Sequence, residues 1–167
     1  KTQGLPLYRL PAFLKIPEIP GESQDTAHAG EFDLQSFSLS VSQSGSMSIG
    51  GGGGVGQANF SDVPIMTYVG KSTPELFLRC ASGKHFPKAE IIVRKAGDTP
   101  FEYLKIELHD VLVSSYSVNP GSGGELAMEN WSLNYAKISY SYNPQKKDGT
   151  GEGWITKFYD VKTNEKG

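Results

Sequence analysis

The chain has 167 residues, with 16 basic and 18 acidic side chains interspersed along it and a formal net charge of −2. That balance excludes the basic footprint of a nucleic-acid binder, and no apolar run approaches the roughly 18 residues of a membrane-inserted span. A single cysteine excludes an internal disulfide and suits a reducing cytosol. The length predicts one domain over 1–167, able to bury about 70% of its unfolded surface. The sequence opens without a methionine and without a charged-then-apolar leader, so export is expected to bypass a cleaved signal peptide.

Prolines at 6, 11, 17 and 20 forbid helix over the first twenty residues. Residues 1–11 read as an extended N-terminal arm; Leu5, Leu7, Tyr8 and Leu10 make it apolar enough to lie on its own barrel or on a neighbour. From 35 to 42 the alternation is regular: Phe37, Leu39 and Val41 point one way, and Ser36, Ser38, Ser40 and Ser42 the other. Residues 43–58 hold seven glycines and are predicted to form a long Gly-rich loop. Strand resumes over 59–69.

A helix is predicted over 73–83. Ser72 or Thr73 is its cap, Pro74 sits in the first turn, and Ser72 with Glu75 has capping-box spacing. Leu76, Phe77 and Cys80 form its apolar stripe and Gly83 stops it. Cys80 on that stripe reads as a small core residue. The period then drops to two: Ala89, Ile91 and Val93 share one strand face, and Leu104, Ile106 and Leu108 another. Gly121 to Gly124 and Lys146 to Gly153 read as turns. Between them Trp131, Leu133 and Tyr135 keep one phase while Ala136, Ile138, Tyr140 and Tyr142 take the opposite one. That slip predicts a bulge bending the strand, or burial on both faces. The expected fold is mainly β, with roughly seven to nine strands in two antiparallel sheets forming a β-barrel and one flanking α-helix.

Chemistry is sparse. Gly70-Lys71-Ser72 lacks the earlier glycine of a phosphate loop, since Ile65 stands there, and helix capping explains it better. His28, His85 and His109 have no metal-ligand spacing. Asp110 follows His109 directly, and strand neighbours face opposite ways, so this pair makes no triad. No catalytic residue, cofactor or metal is expected, so the chain offers surfaces instead.

Nine phrases taken in order carry a family resemblance. They are FLKIPEIPGES at 13–23, SQSGSM at 42–47, the glycine run at 50–54, CASGKH at 80–85, VRKAG at 93–97, EYLKIEL at 102–108, DVLVSSYS at 110–117, SLNYAKISYSYNPQ at 132–145 and YDVKTN at 159–164. The chain resembles the Hcp family, the haemolysin-coregulated tube proteins of bacterial type VI secretion systems. The resemblance implies the same barrel and a homohexameric ring with a wide lumen. Rings would stack into an inner tube beneath a spike protein, and a contractile sheath would expel that tube. Small effector proteins are the expected cargo. The protein would reside in the bacterial cytoplasm before firing and outside the cell afterwards. By alignment with the family pattern, Ser36, Ser38 and Ser40 are expected on the lumen wall, with a merely solvated strand face as the alternative. Ser44, Met47, Ile49, Gly52 and Val55 of the glycine loop are expected to touch the next ring, a contact-free surface loop being the alternative. Glu75, Arg79 and Lys84 of the helix region are expected to be free for neighbours. Two rival functions remain at this stage: a tail-tube protein of a phage-like contractile particle, and a monomeric enzyme or sugar-binding barrel.

Overall fold

The computed structural model describes residues 11–45 and 56–167. Arm residues Leu5, Leu7, Tyr8 and Leu10 lie outside them, as do Met47, Ile49, Gly52 and Val55. The strands are β1 (Ala12–Lys15), β2 (Phe32–Asp33), β3 (Ser36–Phe37), β4 (Val41–Gln43), β5 (Ala58–Phe60), β6 (Val63–Tyr68), β7 (Phe86–Lys95), β8 (Phe101–Asn119), β9 (Met128–Tyr142) and β10 (Ile155–Asp160). The one helix among the described residues, α1, spans Thr73–Ser82. No helix there is long and apolar enough to cross a membrane.

Eight strands form one antiparallel sheet in the order β2-β1-β7-β8-β9-β6-β3, with β10 pairing the free part of β9. The expected second sheet is small: β4 and β5 alone. The large sheet curls into a half-barrel around a core that includes Leu14, Ile91, Ile106, Leu133 and Trp131, and residues 165–167 hydrogen-bond to the outer edge of β10.

The curl has a definable cause. Buried positions run Ala89, Ile91, Val93 along β7 but switch to Phe86 at its start. They switch likewise from Leu108 to Val111 on β8 and from Tyr135 to Ile138 on β9. The register places Pro87, Asp110 and Ala136 opposite one another at these three switches. Asp110 takes a left-handed conformation, φ 52°, which aspartate tolerates better than bulkier residues do. Pro87 has no N–H to offer its neighbour, and the Ala136 carbonyl accepts instead from Val161 N–H at 2.7 Å. All three strands thus exchange faces along one row. The phase slip read in β9 is one third of a sheet-wide corner.

Two local expectations need correction. The strand foreseen over 35–42 is broken: Ser36–Phe37 pair with β6, whereas Val41–Gln43 pair with β5. Val41 is 59% exposed rather than sharing a buried face with Phe37 and Leu39. In α1 the stripe is rotated, so that Leu76 and Arg79 are buried while Phe77 is 61% exposed. Cys80 is half-buried at the core margin. Arg79 is not free: its Nε donates to Glu75 at 2.7 Å and an Nη to Glu18 at 3.0 Å. The hydrogen bond to Glu75 is the main reason its guanidinium is held above the ordinary value. Glu75 is therefore spent on Arg79 and makes no capping box; Ser72 provides no side-chain cap. The first turn is fastened otherwise, with Gly70 N–H donating to Thr73 Oγ1 at 2.9 Å. Gly83 ends the helix as foreseen, at φ 66° with its N–H on the Arg79 carbonyl.

Between β1 and β2 the chain makes a compact loop closed by Gly21 N–H on the Gly30 carbonyl, 2.8 Å. A Cβ on Gly21 would stand 2.4 Å from the Glu31 carbonyl oxygen. Gly21→Ala is expected to destabilise the protein by about 1–3 kcal/mol through the backbone shift it forces, read as a lowered thermal midpoint.

Candidate functional site

The convex face of the sheet divides at the corner into two unlike halves. Beyond it, β3, β6, β9 and β8 lie side by side, and their register aligns Ser36 with Met66, Met66 with Asn130, and Asn130 with Ser117. The adjacent row carries Pro64, Ser132 and Ser115, and Ser38 N–H donates to the Pro64 carbonyl. These side chains line a shallow recess of about 480 Å³, none of whose lining residues is charged. Their hydroxyls are partly paired: Ser114 and Ser115 both reach Ser132, and Ser114 Oγ also donates to Asp62 at 2.7 Å.

Of the residues predicted for a polar wall, the structure brings Ser36 and Ser38 together. Ser40 is exposed but lies outside the recess; its carbonyl accepts from Ser61 N–H. Ser115, Ser117, Asn130 and Ser132 complete the wall. Asn130 and Ser132 alternate with the buried Trp131 and Leu133, a local signal, whereas Ser115 and Ser117 share the sequence phase of the buried Val111 and Val113 and reach this face only through the register shift between Val113 and Ser115. From the predicted stacking loop only Ser44 falls among the described residues. It is exposed, and its N–H and hydroxyl both donate to the Gln57 carbonyl.

On the other side of the corner the convex face is densely charged. Lys88 lies 3.5 Å from Glu90 and 3.3 Å from Glu107. Lys105 sits 4.8 Å over the Trp154 ring and Lys137 4.8 Å over Phe158. At the corner, Asp110 receives His85 Nδ1 at 2.9 Å and the Lys162 ammonium; these two donors, Lys162 first, hold its carboxyl below the usual range.

The concave face is equally divided. Near α1 it is sealed by a buried carboxylate, Glu129, which accepts from Thr67 Oγ1 and Thr73 Oγ1 at 3.0 Å each and from Tyr116 at 2.8 Å. Three donors satisfy an ion that would otherwise be costly to bury. Burial first, then Glu129, pushes the Tyr116 phenol up to about 12. Burial and the Asp62 carboxylate do the same to Tyr135, which donates to the Ser61 carbonyl.

Toward β10, among the described residues, the same face is only partly covered, Phe60 packing 4.9 Å from Tyr159. Tyr140, Tyr142 and Ile155 are 48%, 49% and 59% exposed, although the register puts Tyr140 opposite the buried Ile106 and Tyr142 opposite Leu104. Beside them is an apolar cleft of about 200 Å³ that includes Leu39, Val41, Phe60 and Tyr159.

The sequence model of the family described as "Type VI secretion system effector, Hcp" matches residues 13–142. Protein hcp1 of Pseudomonas aeruginosa is 47% identical over 155 residues, covering 91% of this chain and 95% of that protein. Among solved structures, Hcp1 from Salmonella typhimurium superposes with a TM-score of 0.74 at 32% identity, over 93% of this chain and 96% of the other. A type VI secretion system effector from Yersinia pestis gives 0.74 at 30% identity, over 90% and 99%. The fold, the matched span and the shared sequence agree, and the chain belongs to the Hcp family of type VI secretion system proteins.

Proposed function

We propose that this chain is the tube subunit of a type VI secretion system. Copies associate head-to-tail into six-membered rings, the rings stack into the ejected inner tube, and small effector proteins ride in the lumen. Spike and contractile sheath are the expected partners, and the tube leaves the bacterial cytoplasm for the outside when the sheath fires. The observation carrying this reading is the exposed apolar surface at the β9–β10 end of the half-barrel. Tyr140, Tyr142 and Ile155 extend the core face past the end of their own sheet, as one half of a head-to-tail contact requires. A stable contact of this kind buries on the order of 1,600 Å².

The uncharged Ser36–Ser38 wall is the proposed lumen lining. Small hydroxyls keep a surface wetted without selecting one charge in the cargo. Native mass spectrometry and electron microscopy of the purified protein test the assembly: annular particles are expected, and a lone 18.1 kDa species at micromolar concentration contradicts it. Ser38→Arg tests the lining. It is expected to spare the ring and weaken cargo retention about tenfold or more, a change of about 1.4 kcal/mol. Loss of the ring itself would remove Ser38 from the lumen.

A further inference from the structure

Phe13 is buried but stands apart from the main core. β1 sends Ala12 and Leu14 into that core and Phe13 to the opposite face. Its cover is polar. The His28 ring stacks on it with centroids 4.3 Å apart and planes within 10°, and the Arg94 guanidinium lies 4.7 Å from its centroid. His28 belongs to the loop between β1 and β2 and is itself buried. Its Nδ1 is 2.9 Å from Glu31 Oε2, and its Nε2 is 2.7 Å from Glu102 Oε1 at the start of β8.

Ionised carboxylates only accept hydrogen bonds. Both contacts are therefore filled only when both ring nitrogens carry hydrogen, that is, by the imidazolium. Asp33 of β2 stands opposite Phe13 in the register; also beside the ring are Asp25, from the same loop, and Arg94, from β7 and opposite Glu102. Asp25 and Arg94 pair with each other, and the hydrogen bond from Arg94 is the main reason the Asp25 carboxyl is held below its ordinary range. Glu31 and Glu102 are thus left facing the imidazole, and β1 contributes only the neutral Phe13.

We propose that His28 is a proton-operated latch fastening the 20–31 loop over Phe13 and onto β8. With both ring protons present, the loop is tied at Glu31 and Glu102 together. Loss of one proton turns a nitrogen lone pair toward a carboxylate, so that one tie becomes a repulsion. Because the protonated ring is the holding form, the hold is complete below the imidazole titration and is lost as pH rises through it. Because the carboxylates hold only when ionised, it is also lost as pH falls through theirs.

Amide hydrogen exchange on the full chain tests this at Gly21, Ser23 and Gly30, whose N–H groups close the loop. After correction for intrinsic rates, their protection is expected to fall about tenfold once the ring loses a proton, followed across a pH series. Glu102→Gln should flatten that dependence, since a side-chain amide can accept from a protonated Nε2 and donate to a bare one. Flat protection in the unaltered chain overturns the latch, as does an undiminished fall in Glu102→Gln. A second measurement needs no variant: imidazole nitrogen-15 shifts in the same samples should show both ring nitrogens protonated wherever that protection is high, and high protection with a neutral tautomer overturns the proposal as well.

Discussion

Ile155→Asp is expected to convert the proposed rings into free subunits. Ile155 lies 59% exposed beside Tyr142, its register partner on β9, at the β9–β10 end of the half-barrel. Burying an isoleucine side chain against a neighbour stabilises a contact by about 1.5–3 kcal/mol. The aspartate forfeits that gain and adds the cost of desolvating a carboxylate. In a closed ring the loss enters once per contact, so it compounds. The ring population in native mass spectrometry is expected to fall more than about tenfold at micromolar concentration. Circular dichroism should be unchanged, because the residue is already solvated in the single subunit. Tyr140→Ala and Tyr142→Ala should act in the same direction with smaller effect. A ring that survives Ile155→Asp would place the subunit contact elsewhere on the molecule.

Trp131→Ala will cost the fold about 3–5 kcal/mol, a large part of the 5–15 kcal/mol typical of a domain. Its side chain is among the largest fully buried ones. It packs 5.3 Å from the Phe32 ring, and its indole N–H donates to Thr67 Oγ1. That hydroxyl donates in turn to Glu129, so the substitution empties a cavity and loosens the network holding the start of α1. Urea unfolding followed by circular dichroism measures the loss. Trp131→Phe separates the two contributions, since it keeps most of the volume and gives up the hydrogen bond, for about 1–2 kcal/mol. A loss under about 1 kcal/mol for alanine would mean that the core is not centred on this residue.

What could be read from the chain and what could not divides along sequence separation. Period-two alternation over 89–93 and 104–108, the glycine ending α1 and the slip after Tyr135 are local signals, and each has its counterpart in the structure. The rotated helix is different. Phe77 looks like core and Arg79 like surface until Glu18, 61 residues away, is known to lie beside the helix. The broken 35–42 strand is similar: nothing local says that Ser36 and Val41 pair with different partners. In the polar wall, the alternation of Ser36 and Ser38 was visible, while their meeting with Ser115, Ser117 and Ser132 needed the register of β6, β8 and β9. His28 carries no local mark at all, because its second carboxylate lies 74 residues on.

The row of Pro87, Asp110 and Ala136 has a mechanical consequence. A sheet that changes face along one line has its curvature set there by backbone geometry instead of by the sum of many soft twists. Load applied along the strands then acts on all three at the same place. In the proposed tube, the wall is expected to resist ovalisation as a single stiff rib and, when it yields, to crease at that seam.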